Sequence, residues 1–434
     1  MDARPPLDIA DPVAADIDAD AVVAKVMRRL VPFLAACFVV AYLDRVNIGF
    51  AALSMNEALG FSPVVFGWGA GIFFVGYCAL EAPSNYILER VGARRWIARI
   101  MVSWGIVSAL MAIVWNEASF LALRFLLGAA EAGFAPGVIL YLTYWVPARY
   151  RARCLGGFLM ALPLATVIGA PLSGLLLATM DGAAGLAAWR WLFIIEAAPA
   201  TLLGVAAYFY LPDKPENAAW LARGERAALQ NLLDEESVES GAAGSHSPWR
   251  TLRDPQVLTL GLVYFGIVAS LYGLGFWLPQ IVDAFGYGAL GTGLVTAIPY
   301  FFGAVAMALW SRHSDAAGER LRHAALAAAL SAGGLASAGC VETPAASMIA
   351  LSLASAGTLA AMPPFWTLPT AFLSGTDTAV GIALVNSIGN LAGFFGPYLV
   401  GWIKNATGEF SYALVALAAA PLVSAVVMIR LGKK

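Results

Sequence analysis

Long apolar stretches alternate with short polar segments along almost the whole chain. Twelve of these stretches reach about 20 residues, the length that a helix needs to cross a bilayer core about 30 Å thick. They lie at residues 30–53, 64–88, 96–115, 119–146, 155–179, 189–211, 256–284, 292–311, 321–341, 345–372, 378–403 and 410–431. The pattern predicts an all-α membrane protein with twelve transmembrane helices, numbered below as spans 1 to 12.

The longest polar segment, residues 212–255, separates span 6 from span 7 and is rich in Asp, Glu, Arg, Ser and Gly. It predicts a linker between two bundles of six helices, at 30–211 and 256–434. Residues 1–29 precede the first bundle, and their acidic, proline-containing start is typical of a disordered tail.

Lys and Arg are distributed very unevenly between the two sides of the predicted bundle. Of the 26 basic residues, 22 flank the spans on the side of the N-terminus, whereas the opposite loops carry only Arg190 and Lys404. Short loops that are rich in basic residues stay in the cytoplasm. We therefore expect both termini and the linker to be cytoplasmic.

Composition supports a membrane protein, because 60% of the residues are hydrophobic and only 12% are charged, against about 45–50% and 25% in soluble domains. The four cysteines and three histidines have no metal-ligand spacing, and no phosphate-binding loop is present. We expect neither an enzyme nor a protein that needs a metal, a cofactor or nucleic acid. We also expect a monomer.

Two pairs of motifs indicate an internal duplication. Glu89, in NYILERVGARRW after span 2, lies 226 residues before Asp315, in SRHSDAAGERLRH after span 8. Pro171, in span 5, and Pro397, in span 11, have the same separation. A shared offset favours two parallel six-helix repeats, an arrangement that places a substrate site near the midplane between them.

The sequence around Glu89 resembles the G-x-x-x-D-R-x-G-R-R motif of the major facilitator superfamily, with Asn85 and Glu89 in place of its first glycine and its aspartate. Further segments are similar to the anion:cation symporter family, most of all to bacterial tartrate, phthalate and hydroxyphenylacetate permeases. They are AYLDRVNIGFA (41–51), GYCALEAPSN (76–85), LERVGARRWIARIM (88–101), RFLLGAAEAGFAPG (124–137), YLTYWVPARYRAR (141–153) and LPDKPENAAWL (211–221). The resemblance is dense over residues 27–221 and thinner in the second half.

This resemblance implies the major facilitator fold, the bacterial inner membrane and import of an organic anion with protons. It assigns proton coupling to Asp44 and Glu131, and substrate binding to Arg45. The motif that it identifies as a gate comprises Glu89, Arg90, Gly92, Arg94 and Arg95, with Asp315 in the second half.

Helical spacing adds a geometric argument. Arg124, Gly128 and Glu131 share one face of span 4. Asp44 lies about 21 Å from the start of span 1 and Arg124 about 8 Å from the opposite start of span 4, so their depths coincide. We expect an Asp44–Arg124 pair that leaves Arg45 free for an anion. The alternative is that these charges only hold helices together.

Arg124 is a further candidate for substrate binding, and other polar side chains on the spans are weaker candidates. Tyr77 falls near mid-depth in span 2, Tyr272 and Gln280 share a face of span 7, and Asn386 and Asn390 share a face of span 11. Packing or polar contacts between helices explain such residues equally well. Glu81 suits a structural or gating role as well as a coupling role, and Glu196 has no predicted role.

The sequence thus favours a proton-coupled importer of a small carboxylate, such as tartrate or, as second choice, an aromatic acid. A proton-linked antiporter or exporter of the same fold is the first alternative, because GAPLSG in span 5 partly resembles a glycine-proline motif of antiporters. A membrane sensor that signals through residues 212–255 is the second.

Overall fold

The computed structural model describes residues 18–240, 253–369 and 376–432, and every regular element within these ranges is helical. Spans 1 to 6 are built from Ala19–Val46, Ile48–Leu59, Pro63–Val91, Ala93–Leu110, Glu117–Glu131, Phe134–Thr143, Ala148–Thr179 and Ala188–Tyr210. Arg223–Ser240 follows, and spans 7 to 12 are Pro255–Asp283, Gly288–Ala317, Arg320–Cys340, Pro344–Trp366, Thr376–Thr407 and Phe410–Leu431.

Twelve of the resulting helical segments are long and apolar enough to cross a membrane, which confirms the predicted all-α fold with twelve spans. Local signals set several of the helix starts. The pairs Ser62-Pro63, Asp254-Pro255 and Thr343-Pro344 each place a capping side chain before a proline in the first turn. The cap accepts a backbone N–H, and proline needs no donor at that position.

The largest difference from the predicted boundaries is at the start of span 1. The helix begins at Ala19 rather than near residue 30, and the Asp18 side chain caps it by accepting from the Asp20 and Ala21 amides at 3.0 and 3.3 Å. The first helix therefore includes residues 19–29 of the predicted N-terminal tail. Residues 1–17 lie outside the described residues, as do 241–252 of the linker and 370–375 before span 11.

Spans 1 and 4 are each interrupted beside their charged residues. The α-helix of span 1 stops at Val46 and resumes at Ile48. In span 4 the break follows Glu131 directly, and Gly133 adopts a φ of +84°. A side chain at Gly133 would both strain this left-handed backbone and collide with Ser84 of span 2.

Glycines bring the first six spans into close contact with the last six. An added Cβ at Gly67 of span 2 would lie 2.9 Å from the Pro397 carbonyl oxygen of span 11, and one at Gly174 of span 5 would lie 2.6 Å from the Ala289 carbonyl oxygen of span 8. Small residues allow such close helix packing in membranes. Gly67, Gly174 and Ala289 each lie within about two turns of the helix end on the far side, which is the side opposite the N-terminus.

Candidate substrate and proton site

Arg45 connects the two halves of the molecule from the last turn of Ala19–Val46. Its guanidinium donates one hydrogen bond to the Glu131 carboxylate of span 4 and another, 2.8 Å long, to the Tyr272 hydroxyl of span 7. The Arg45 side chain is 14% exposed and that of Glu131 is 2% exposed. A buried carboxylate and a hydroxyl from opposite halves thus hold one arginine.

Glu131 is the last residue of its helix, Glu117–Glu131. The carboxyl end of a helix carries a partial negative charge, which disfavours an ionised carboxylate there. Burial acts in the same direction because it removes water from the charged form. The Arg45 guanidinium offsets both effects, so the charge of Glu131 depends on whether Arg45 stays with it.

Aromatic rings surround the Arg45 guanidinium. Its central carbon lies 5.2 Å from the ring centre of Phe73, 5.5 Å from that of Tyr77 and 6.0 Å from those of Phe74 and Tyr272. Ring faces attract a cation while excluding water. The sequence predicted Tyr77 and Tyr272 here. It missed Phe73 and Phe74, although Phe73 lies four residues before Tyr77 on the same helical face.

Arg124 is fully buried and its guanidinium contacts backbone rather than a carboxylate. Nε donates to the Gly69 carbonyl at 2.9 Å and Nη2 to the Ala70 carbonyl at 3.4 Å. Nη1 has no hydrogen-bond partner among the described residues. Arg124 shares a helical face with Glu131, as predicted from the spacing. The region around Arg45 therefore holds the two guanidinium groups and the Glu131 carboxylate, and the Glu81 carboxylate of span 2 also interacts electrostatically with Arg45.

The predicted Asp44–Arg124 pair is wrong. Asp44 accepts hydrogen bonds from Trp104 Nε1 at 2.7 Å and from Ser108 Oγ at 3.2 Å, both in span 3. Equal depth brings two side chains together only when both also point into the same interface, and successive residues on a helix diverge by about 100°. The expectation that Arg45 is unpaired fails for the same reason, because Arg45 takes the carboxylate that faces Arg124.

None of the remaining substrate candidates forms a hydrogen bond with Arg45. Asn386 donates to the Glu81 carboxylate of span 2 at 3.0 Å, a second polar contact between the halves. Asn390 is half-buried one turn further along span 11. Gln280 lies three residues before the far end of span 7, and its Nε2 is buried without a partner among the described residues.

The predicted gating motif forms the connection between spans 2 and 3. Gly92 joins the two helices with a φ of +95°, and the Arg94 amide donates to Asp213 Oδ1 at 2.9 Å. Asp213 belongs to the segment after span 6, and the sequence did not indicate that it contacts the motif. In the second half, Asp315 pairs with Arg320 across the connection between spans 8 and 9.

The other motif side chains face the surface of the protein. The guanidinium of Arg90 lies over the Tyr86 ring, with 4.2 Å between its carbon and the ring centre, and that of Arg94 lies over Tyr208 at 4.6 Å. Glu89 and Arg95 form no ion pair among the described residues. The motif thus contacts the start of the linker rather than the Arg45 region.

The sequence is similar to known membrane transporters over nearly its whole length. Residues 34–397 match the Major Facilitator Superfamily. An Agrobacterium vitis protein named "Putative tartrate transporter" is 53% identical over 412 residues, covering 95% of each chain. A "Quinolone resistance transporter" of Acinetobacter baumannii is 39% identical over 394 residues, covering 91% of each.

The structure is similar to that of a solved transporter. The xylose transporter XylE from E. coli, in an inward open conformation, superposes with a TM-score of 0.74 over 93% of this chain and 96% of that one. Sequence identity is 15%, so the likeness concerns the fold.

Proposed function

Because the chain belongs to the major facilitator superfamily, we propose that it imports a small organic anion together with protons. It is a multi-pass membrane transporter rather than an enzyme. The proposal rests on one observation above all: the Arg45 guanidinium, an anion-binding group, is held by the Glu131 carboxylate, a proton-binding group. Anion and proton binding then act on the same arginine.

The charges around Arg45 favour an anion with at least one carboxylate. With Glu131 and Glu81 both ionised, they balance the positive charges of Arg45 and Arg124, and with Glu131 protonated one positive charge is left in excess. A carboxylate can accept two parallel hydrogen bonds from one guanidinium. The anion therefore competes with Glu131 for Arg45, and a proton on Glu131 decides the competition in favour of the anion.

This competition gives a transport cycle. On the proton-rich side Glu131 takes up a proton, releases Arg45 and lets the anion bind to it. On the other side the proton leaves, Glu131 recovers Arg45 and the anion is displaced. Because Tyr272 of span 7 also binds Arg45, displacement of the arginine changes a contact between the halves. We propose that the bundles at 30–211 and 256–434, joined by the 212–255 linker, rock about this site.

The substrate proposal is a hydroxy-dicarboxylate such as tartrate. The Agrobacterium vitis relative named as a tartrate transporter supports it. Tyr77, Tyr272, Asn386 and Asn390 would bind the hydroxyls or the second carboxylate, with Gln280 beyond them. An aromatic acid is the second choice, because Phe73 and Phe74 line the same region as the guanidinium.

We also propose a location in the bacterial inner membrane with both termini in the cytoplasm, as the basic loops require. Replacement of Arg94 by cysteine tests this orientation. A membrane-impermeant thiol reagent should label it only after the cells are opened. Labelling in intact cells would reverse the proposed topology, and Trp115→Cys in the loop between spans 3 and 4 is the control expected to react from outside.

Uptake of labelled tartrate into proteoliposomes with an imposed pH gradient tests the function. One unit of pH is worth about 1.4 kcal/mol, or tenfold accumulation, for each proton carried with the anion. We expect accumulation when the side from which tartrate enters is acidic and none without a gradient. Unchanged uptake after collapse of the pH gradient would contradict proton coupling.

Export in exchange for protons is the second candidate, favoured by the relative named as a quinolone resistance transporter. The same vesicles separate the two directions of coupling. Symport predicts that anion and protons move in the same direction, so external tartrate should make the vesicle interior more acidic. Alkalinisation of the interior on tartrate entry would indicate exchange and replace the proposal.

A further inference from the structure

A second buried carboxylate lies within the first bundle, away from Arg45. Glu196 of span 6 is 1% exposed, and its Oε1 accepts a hydrogen bond from Ser173 Oγ of span 5 at 2.6 Å. Its Oε2 is buried without a hydrogen-bond partner among the described residues. One oxygen of this carboxyl group is thus bound and the other is free to carry a hydrogen.

A second unpartnered side chain faces this carboxyl group. Asn47 lies beside Glu196, at the interruption of span 1 between Val46 and Ile48, and is 1% exposed. Neither polar atom of its carboxamide has a hydrogen-bond partner in the described parts of the chain. Its oxygen can accept from a protonated carboxyl group, and its nitrogen can donate to an ionised one. Asn47 can therefore form a hydrogen bond with Glu196 whether the carboxyl group is protonated or ionised.

No cation neutralises Glu196 in the described elements that pack on span 6. Asp44 of span 1 is the ionisable group that acts on it, and that charge is of the same sign. The Arg45 guanidinium is turned to span 4. Arg190 of span 6 donates to the Ala112 carbonyl, and Asp181 accepts from the Ala188 amide at the far end.

Two buried carboxyl groups without a cation cannot both be ionised at low cost. An isolated buried carboxylate is so unfavourable that the group takes up a proton instead. Ser173 donates a neutral hydrogen bond to Glu196. Trp104 and Ser108 do the same for Asp44, and these bonds keep the carboxyl groups in place without fixing their charge. This arrangement is suited to gaining and losing protons.

We propose that Glu196, with Ser173 and Asn47, forms a second proton-binding site of the transport cycle, coupled to Asp44 and separate from the Arg45 site. The proton binds at Oε2 of Glu196 and leaves as the same proton, with no other bond changed. Glu196 lies about 12 Å from the far end of span 6 and Ser173 about 9 Å from that of span 5, so the site is nearer to the far side than to the side of the N-terminus. The inference rests on the proposed proton coupling.

Infrared titration of the purified full-length protein tests the site without any substrate. A protonated carboxyl group has a carbonyl stretch that an ionised one lacks. We expect the wild type to lose such a band as the pH is raised, and Glu196→Gln, which is isosteric, to lack that band throughout. Ser173→Ala is the matched control, because it removes the hydrogen bond but should keep the band at a shifted frequency.

Identical titrating bands in the wild type and Glu196→Gln would overturn the proposal. If Glu196→Gln does not fold, Glu196→Asp decides instead, because it keeps the carboxyl group and moves it by one methylene. It should then titrate at a different pH, and an unchanged titration would overturn the proposal equally.

Transport of labelled tartrate in proteoliposomes provides the functional arm. Glu196→Gln should keep tartrate counterflow within about twofold but lose about tenfold in accumulation per unit of pH gradient, as expected for one proton fewer. Accumulation at the wild-type level in Glu196→Gln would overturn the proposed site. So would wild-type transport that requires sodium, if Glu196→Gln no longer requires it. If the wild type itself does not accumulate tartrate, the proposed function fails. The infrared titration still shows whether Glu196 binds and releases a proton.

Discussion

The two halves of the protein bury very different polar groups. In the described residues the first six spans bury Asp44, Arg124, Glu131 and Glu196, each at most 2% exposed. The last six spans bury serines, threonines and one histidine, but no Asp, Glu, Lys or Arg. Charges inside a membrane are costly and accompany function. The comparison supports the proposal that proton coupling depends on the first half, whereas the second half contributes neutral contacts to the substrate.

Tyr272 and Asn386 of the second half meet Arg45 and Glu81 of the first through hydrogen bonds. Changes to the buried carboxylates of the first half should alter coupling to protons, changes to Arg45 should alter affinity for the anion, and changes in the second half should alter affinity and selectivity while leaving coupling intact. Single substitutions in each half test this division.

Glu131→Gln should produce the largest change. The amide cannot exchange a proton or hold Arg45 by charge, so accumulation driven by a pH gradient should disappear while tartrate binding and counterflow remain. Uptake in proteoliposomes measures this. The matched control is Glu117→Gln, an exposed carboxylate at the start of the same helix, and accumulation by Glu131→Gln at the wild-type level would move the coupling residue elsewhere.

Arg45→Lys should weaken tartrate binding without removing the positive charge. A lysine keeps the charge but loses the fork that binds a carboxylate through two hydrogen bonds. Loss of one charge-assisted hydrogen bond costs about 1.5–3 kcal/mol, so the Kd should rise about tenfold or more. Titration calorimetry measures it, with Arg190→Lys at the far end of span 6 as control. Equal affinity for tartrate and its uncharged diamide would also contradict the assignment.

Tyr272→Phe should have a smaller effect and leave coupling intact. It removes one hydroxyl from Arg45 while keeping the ring, which costs about 0.5–1.5 kcal/mol, or a two- to tenfold rise in Kd. The number of protons carried for each tartrate should not change. Tyr398→Phe is the control, because the Tyr398 ring stacks on Phe394 of span 11. A changed number of protons per tartrate in Tyr272→Phe would contradict the division of roles between the halves.

Glu225→Gln should have the smallest effect, limited to stability. Lys25 Nζ donates to both Glu225 oxygens at 2.9 and 2.8 Å, and this hydrogen bond lowers the pKa of Glu225. A lowered folded pKa stabilises the protein above the unfolded value and ceases to do so as pH falls through the folded value.

Glu225→Gln should therefore cost about 0.2–1 kcal/mol at neutral pH and nothing at low pH. Thermal unfolding with Glu235→Gln as control measures it. A difference that persists in acid would exclude the ion pair as its cause.

Much of the fold could be predicted from the sequence because the hydropathy of each span depends only on the residues of that span. Spans 2, 7 and 12 begin and end within a few residues of the predicted limits. The family resemblance read from the charged motifs was also confirmed. Span 1 was predicted too short because Lys25 and Arg28 lower the hydropathy of its first part. The helix nevertheless includes both residues and begins at Ala19, before the apolar stretch.

The partners within the site could not be predicted in the same way. Spacing along span 4 correctly placed Arg124 and Glu131 on one face. It could not show which neighbouring helix that face meets, so Asp44 was assigned to Arg124 rather than to Trp104. The contact of Arg45 with Tyr272 spans 227 residues, and only the packing of span 1 against span 7 determines it.

The central claim is that an anion takes Arg45 from Glu131, which then binds a proton. Proton uptake on addition of tartrate to the purified wild type in weakly buffered solution measures this directly. The account predicts proton uptake with each tartrate bound and a smaller uptake in Glu131→Gln at saturating tartrate. Binding without proton uptake, or equal uptake by the two proteins, would contradict it.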